Sequence, residues 1–288
     1  MWSAMSVTRL TTRRIEKPWG RRDLLPAFGT VAAGADPVGE IWFEHPRGGE
    51  PELLVKYLFT SEKLSIQVHP DDAAARAAGH RSGKDEAWVV LDAEPDALIG
   101  IGLGAPVDDA ELRRAAIDGG IERMVDWRPA RAGDSYYSPA GTIHSLGAGL
   151  KLIEIQQNVD VTYRLYDFGR PRELHLDEAV AVARPEPFLQ PFAPYDAAPG
   201  RRILAEGLKF VLERWTGARS ARLRGDPSRP FWTIMASGSG LIAGEPLEPG
   251  EVWLVEGDAA LVLDAGADVL IAYPGSALRA DLEERDGA

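Results

Sequence analysis

The sequence contains no cysteine. Disulfides, thiolate zinc sites, cysteine nucleophiles and iron–sulfur clusters are excluded together. Histidine is scarce, with only His45, His69, His80, His144 and His175. A metal here has to be held by those imidazoles together with carboxylate, amide or backbone oxygens. No run approaches the roughly 18 consecutive apolar residues of a membrane span. The basic start of the chain, through Arg14, has no apolar segment behind it, so neither a membrane anchor nor a signal peptide is expected. A cytoplasmic location is the default expectation. Lys and Arg number 32 against 44 Asp and Glu, for a net charge of −12. The broad basic footprint of a nucleic-acid binder is therefore missing. An anionic ligand has to be met by a local group of cations working against the global field.

What is present is mostly strand. Short runs rich in β-branched and aromatic residues occur at 53–59, 63–68, 87–91, 97–102, 134–137, 150–156, 210–215, 231–236, 251–255 and 260–263, separated by Gly, Pro and Asp. Helical patterns are confined to 71–78, 108–117 and 176–183. This balance predicts an all-β chain of sandwich or barrel type with short helical insertions. Pro185, Pro187, Pro191, Pro194 and Pro199 crowd one stretch. It reads as a linker over 185–200 between a first domain, 1–184, and a second, 201–288. A weak repeat spans it: Pro129-x3-Gly133 and Pro246-x3-Gly250 each precede a strand, at an offset of 117.

Two histidines stand in informative settings. In Ser65-Ile-Gln67-Val-His69-Pro70, strand alternation places Ser65, Gln67 and His69 on one face, with Ile66 and Val68 on the other. In Gly133-x5-Pro139-x-Gly141-x2-His144, a turn between two strands delivers His144. The second pattern is the second motif of the cupin superfamily, and Gln67-Val-His69 stands where that superfamily usually has His-x-His. Six segments follow in order: Lys17-Pro-Trp-Gly20, Gly39-Glu-Ile-Trp42, the run 64–72, Gly83-Lys-Asp-Glu86, Pro139-Ala-Gly-Thr-Ile-His144, and the run from Glu154 through Asp160 and Arg164 to Asp167. Together they closely resemble the type I mannose-6-phosphate isomerases in their short bacterial form, over roughly residues 15 to 183.

The resemblance implies two cupin-type (jelly-roll) β-barrels and one divalent metal per chain, usually zinc. Its ligands would be Gln67, His69, Glu86 and His144. Ligand softness alone leaves manganese, iron, cobalt and nickel open. The resemblance further implies Glu154, Arg164 and Lys84 in catalysis, and Ser65, Lys56 and Arg170 against the substrate. The implied reaction interconverts mannose 6-phosphate and fructose 6-phosphate through a cis-enediolate. The partner would then be a sugar phosphate, with no nucleic acid and no membrane, in a monomer or homodimer. Two alternatives stand beside it: a metal cupin of other chemistry, such as a dioxygenase, and a non-catalytic sugar-binding cupin. In the second half the His144 position becomes Leu261 and no histidine follows residue 175. A second barrel there would lack a metal and serve to pack, to close the site or to self-associate. Trp215, Trp232 and Trp253 read as core or interface, and His45 as surface or structural.

Overall fold

The computed structural model describes residues 7–284. Its strands form four antiparallel sheets of six, five, seven and five strands. The six-stranded sheet runs Thr11–Arg21, Val38–Glu44, Leu53–Phe59, Leu150–Gln157, Glu86–Ala93, Ser135–Ser138. Facing it, the first five-stranded sheet runs Tyr163–Tyr166, Ile66–Val68, His144–Leu146, Leu98–Leu103, Val125–Pro129. The seven-stranded sheet is built mainly from Arg201–Glu206, Phe210–Thr216, Phe231–Ser237, Val252–Val255 and Asp268–Pro274. Its facing sheet contains Arg219–Leu223, Gly240–Ile242 and Ala259–Leu263.

Period-two alternation explains how the sheets stack. All seven residues of Leu53–Phe59 are buried, because both faces of that strand are covered. Val55, Tyr57 and Phe59 join Leu212, Ile234 and Leu270 in a core shared by the six- and seven-stranded sheets. Leu58 faces the other way, packing with Trp88, Ile99 and Leu152 inside the first barrel. Ile153 and Ile155 lie in the shared core, so Glu154 and Gln156 fall on the barrel-interior parity. Ala87 and Val89 do likewise, which turns Glu86 and Trp88 inward. Each fully buried side chain of this size contributes on the order of 1.5–3 kcal/mol. The shared core therefore holds the two halves together through buried apolar contacts.

The outer face of the first five-stranded sheet shows Ile66 and Val68, covered by Leu112, Ala116 and Val180 from the helices Asp109–Asp118 and Leu176–Val182. Asp108 caps the first of these by accepting from Glu111 N at 2.7 Å. Asp71 caps the helix Asp72–Ala77, accepting from Ala73 N and Ala74 N. A further short helix, Ile121–Met124, carries no periodic sequence signal, being a single turn.

The chain crosses the expected division between halves. Val7–Arg9 pairs with Val252–Val255 in the seven-stranded sheet. The Pro-rich stretch 185–200 is bound structure: Phe188 is buried in the first barrel's core, Glu186 O accepts from Leu103 N, and Tyr195–Ala198 is an edge strand. Prolines are tolerated at such edges because no ladder hydrogen bond is required of them. Trp215, Trp232 and Trp253 are all buried.

Candidate metal centre and active-site cleft

Adjacent strands of the first barrel bring the motif residues together. His144 pairs in register with Gln67 across the small sheet, and Arg164 pairs with Gln67 on its other side. Glu86 begins its strand beside Gln156, and Glu154 lies in register with Lys56 and Trp88. His69 follows directly after its strand, and its carbonyl accepts from Gly141 N at 2.8 Å, tying it to the turn that delivers His144.

His69, Glu86 and His144 form one buried group whose candidate ligand atoms all lie within 4.8 Å of one another. His144 Nε2 is 3.0 Å from Glu86 Oε1, and His69 Nε2 is 3.4 Å from Glu86 Oε2. Gln67 Nε2 is 3.3 Å from His144 Nε2. The His144 Nδ1 contacts Thr142 O at 2.9 Å. A carbonyl only accepts, so Nδ1 carries a proton, and Nε2 is the ring nitrogen turned toward the carboxylate. Burial, reinforced by Lys84, pushes His69 down to about 3, so its imidazole is neutral at physiological pH. Burial opposes the charge on Glu86, but Lys84 and the two imidazoles outweigh it and hold the carboxyl well below its ordinary range. Lys84 Nζ sits 3.2 Å from Glu86 Oε2.

The result is a tight, buried cluster of metal-ligand-type nitrogens and oxygens. Apart from the close charge contacts of Lys84 and His144 with Glu86, both nitrogens of His69 and both oxygens of Glu86 are buried without a well-formed hydrogen bond. Buried polar atoms left unpaired cost about 1–3 kcal/mol each. A cation at their centre removes that cost. Tetrahedral bonds of about 2.0–2.1 Å put donor atoms roughly 3.4 Å apart, close to the separations seen here. The residues therefore fit a divalent ion.

Beside this group opens a cleft of about 360 Å³. Five cations, Lys17, Lys56, Lys84, Arg164 and Arg172, line it with three carboxylates, Glu40, Glu154 and Asp160. Its balance is positive in a molecule whose net charge is −12. Lys56 is 5% exposed, with Nζ 3.2 Å from Glu154 Oε1, 3.8 Å from Glu40 Oε2 and 4.5 Å from the Trp42 ring centre. Burial works against its charge, but Glu154 and Glu40 outweigh it, so the amine stays protonated. Trp88 Nε1 donates to Glu154 Oε2 at 3.1 Å. Ser65 Oγ donates to Gln67 Oε1 at 3.0 Å.

Arg170 does not line the cleft. The chain turns at Phe168 and Gly169, both with left-handed φ, and carries Arg170 back onto Asp167 Oδ1 at 2.8 Å and Lys63 O at 2.7 Å. The expected substrate contact is instead a brace, and Arg172 occupies the cleft, its guanidinium fixed by the same Asp167 at 2.5 and 2.7 Å. Arg164 Nε donates to Glu173 O at 2.8 Å. Its pKa is lowered by burial and by the like charge of Arg172. His175 Nδ1 accepts from Arg164 N at 3.2 Å, leaving its Nε2–H as a donor. Sequence reasoning misses Arg172 and His175 because a loop has no period to read. Lys17 and Glu40 lie inside quoted motifs that assign them no role.

The molecule contains its own comparison. By strand register Gln67 corresponds to Ala221 and His144 to Leu261. Glu86, opposite Ser138, corresponds to Phe231, opposite Val255. The second barrel thus fills the place of the ligands with buried apolar side chains.

No family model matches the chain. The mannose-6-phosphate isomerase ManA of Bacillus subtilis is 31% identical over 230 residues, 74% of this chain and 72% of that protein. The chain belongs to the mannose-6-phosphate isomerase family. The family member of Streptococcus mutans is 37% identical over 158 residues, a match spanning half of that protein's length, 50%, and 51% of this chain. A crystal structure of the family member from Bacillus subtilis superposes with a TM-score of 0.80 at 27% identity, covering 93% of this chain and 99% of that one. This agreement extends the family fold beyond the motif region into the second barrel.

Proposed function

We propose that the chain is a metal-dependent aldose–ketose isomerase that interconverts mannose 6-phosphate and fructose 6-phosphate. The buried His69, Glu86 and His144 cluster, poorly hydrogen-bonded and beside a cationic cleft, carries this reading. In it, Gln67 completes the ligand set for one divalent ion, which we take to be zinc. Two imidazoles, a carboxylate and an amide oxygen suit that ion without any thiolate. Exchanging the oxygen and nitrogen of the Gln67 amide turns Oε1 toward His144 and lets the amide N–H donate to Ser65 Oγ instead. When bound, the ion draws electron density from the sugar's carbonyl and adjacent hydroxyl as a Lewis acid.

The chain's own residues do the rest. In the aldose-to-ketose direction Glu154 takes the proton from C2, the O2 hydroxyl proton passes to O1, and Glu154 returns its proton to C1. The carbonyl has then moved from C1 to C2 with no net redox change. Lys56 and the Trp88 indole N–H orient the carboxylate and leave it lone pairs for the sugar. Lys84 and Arg164 offset the negative charge of the cis-enediolate. Arg164, Arg172 and the Nε2–H of His175 receive the phosphate. In keeping with that substrate class, we take the enzyme to be cytoplasmic, as a monomer or homodimer. Among the described residues no helix is long and apolar enough to cross a membrane.

The test is a coupled isomerase assay on a panel of pentose, hexose and heptose phosphates. Turnover of mannose 6-phosphate is expected to vanish on chelation and return with zinc. Full activity in metal-free protein rejects the reading. Replacing Arg172 by Met is expected to raise KM for mannose 6-phosphate roughly 10- to 100-fold, the loss of a charge-assisted contact of about 1.5–3 kcal/mol. A smaller change in kcat is expected. An unchanged KM moves the phosphate elsewhere.

A further inference from the structure

Glu86 and Lys84 stand at the end of an excursion. The chain leaves the first barrel after His69, forms the helix Asp72–Ala77, and returns at Glu86. Two residues of one site joined through such an excursion stay in place only if its return is held. Asp72 does much of the holding: its Oδ1 accepts from Gly83 N at 2.8 Å and from Gln157 Nε2 at 3.1 Å. Gln157 Oε1 in turn accepts from Asp85 N at 3.0 Å. The two arms converge on residues 83 and 85, which flank Lys84 and precede Glu86.

The second barrel enters this network. Lys209 Nζ donates to Asp72 Oδ2 at 2.7 Å. Lys209 lies on the turn between Arg201–Glu206 and Phe210–Thr216, and that turn rests on the first barrel at a second point. A Cβ on Gly207 would come 2.0 Å from Tyr137 Cζ, so the backbone there lies flat against the ring. Phe210 packs on the same ring, at 5.2 Å between centroids. The Tyr137 hydroxyl donates to Asp85 Oδ2 at 2.5 Å. Asp85 Oδ1 accepts from Ala140 N, in the turn that leads to His144.

We infer that Lys209 is a positioning residue, through which the metal-free second barrel holds Asp72 and thereby sets Lys84 and Glu86 for the reaction. This rests on the metal-dependent isomerase reading above. The second barrel's turn is then part of the site's support, although none of its residues touches the site.

The experiment compares full-length wild type with Lys209→Met, Lys209→Arg, Asp72→Asn and the Lys209→Met/Asp72→Asn double variant. Zinc affinity of the apoprotein is read by competition with a chromophoric chelator, and isomerase kinetics with mannose 6-phosphate. Lys209→Met is expected to weaken zinc affinity about tenfold, the low end for residues that support metal ligands. It is expected to lower kcat severalfold with KM unchanged. Lys209→Arg, still able to reach Asp72, should recover most of both. Asp72→Asn keeps an acceptor for Gly83 but loses the charge, so it should resemble Lys209→Met, and the double variant should be no worse than either single one. Melting temperatures should move little, because the ion pair is partly exposed to solvent. Unchanged zinc affinity and kcat in Lys209→Met, additive losses in the double variant, or failure of Lys209→Arg to recover overturns the inference. A wild type that binds zinc but leaves mannose 6-phosphate untouched rejects the proposed reaction alone, and the affinity measurements still decide the role of Lys209.

Discussion

Replacing His144 by alanine is expected to lower the proposed isomerase activity by on the order of 10³-fold or more, with the divalent metal no longer recovered in stoichiometric amount. A Lewis acid stabilises the transition state by several kcal/mol, and each 1.4 kcal/mol is tenfold in rate. His144 is 1% exposed, its tautomer is set by Thr142 O, and its Nε2 lies 3.0 Å from Glu86 Oε1. The substitution therefore removes a donor that is already aimed. The fold should survive. Deleting the ring opens a cavity, but the backbone pairing of His144–Leu146 with both neighbouring strands is untouched. Far-ultraviolet circular dichroism near that of wild type, together with lost metal and lost turnover, is the expected combination. Wild-type turnover in metal-free His144→Ala protein would remove the metal from the reaction.

Glu154→Gln carries the second large effect: kcat is expected to fall 10²- to 10⁴-fold, the usual contribution of a positioned proton-transfer group. Zinc content and affinity should remain those of wild type. Glutamine is nearly isosteric, and its Oε1 can keep the bond from Trp88 Nε1. Lys56 loses the partner at 3.2 Å but retains Glu40 at 3.8 Å and the Trp42 ring. Burial opposes the charge on Glu40, but Lys56 and Lys17 outweigh it and hold its carboxyl below the ordinary range, so Lys56 keeps an anionic partner at neutral pH. The variant thus separates proton transfer from metal binding. A kcat within twofold of wild type, at full zinc occupancy, would assign the proton to another group.

Much of the site is legible in the sequence because strand parity is local. Gln67 facing away from Ile66 and Val68 requires only the two-residue period, and the structure places those two in the helix-covered core. Glu86 is harder. Following Lys84, it has the local setting of an exposed loop acid, yet it is 1% exposed, because tertiary contacts at Asp72, Gln157 and Tyr137 fold the excursion back. Arg170 and Arg172 show the same limit in reverse. They differ by two positions, and only the left-handed turn at Phe168 and Gly169, seated against the barrel, decides which guanidinium reaches the cleft. The 185–200 stretch has the composition of a linker, but burial of Phe188 and the edge pairing of Tyr195–Ala198 depend on surfaces that composition does not describe.

By itself the amino-acid sequence determined the chemistry available. Without cysteine and with five histidines, any metal had to sit among nitrogen and oxygen donors. The order of its motifs pointed to which residues those were, and alternation told which way most of them face. Only the tertiary structure decided how they meet. It brought His69, Glu86 and His144 within 4.8 Å, gathered five cations around one cleft under a net charge of −12, and laid the turn at Lys209 against Asp72. Direction along a strand is a property of neighbouring residues. Distance between strands far apart in the chain is a property of packing, and it exists only once both barrels have closed on their shared core.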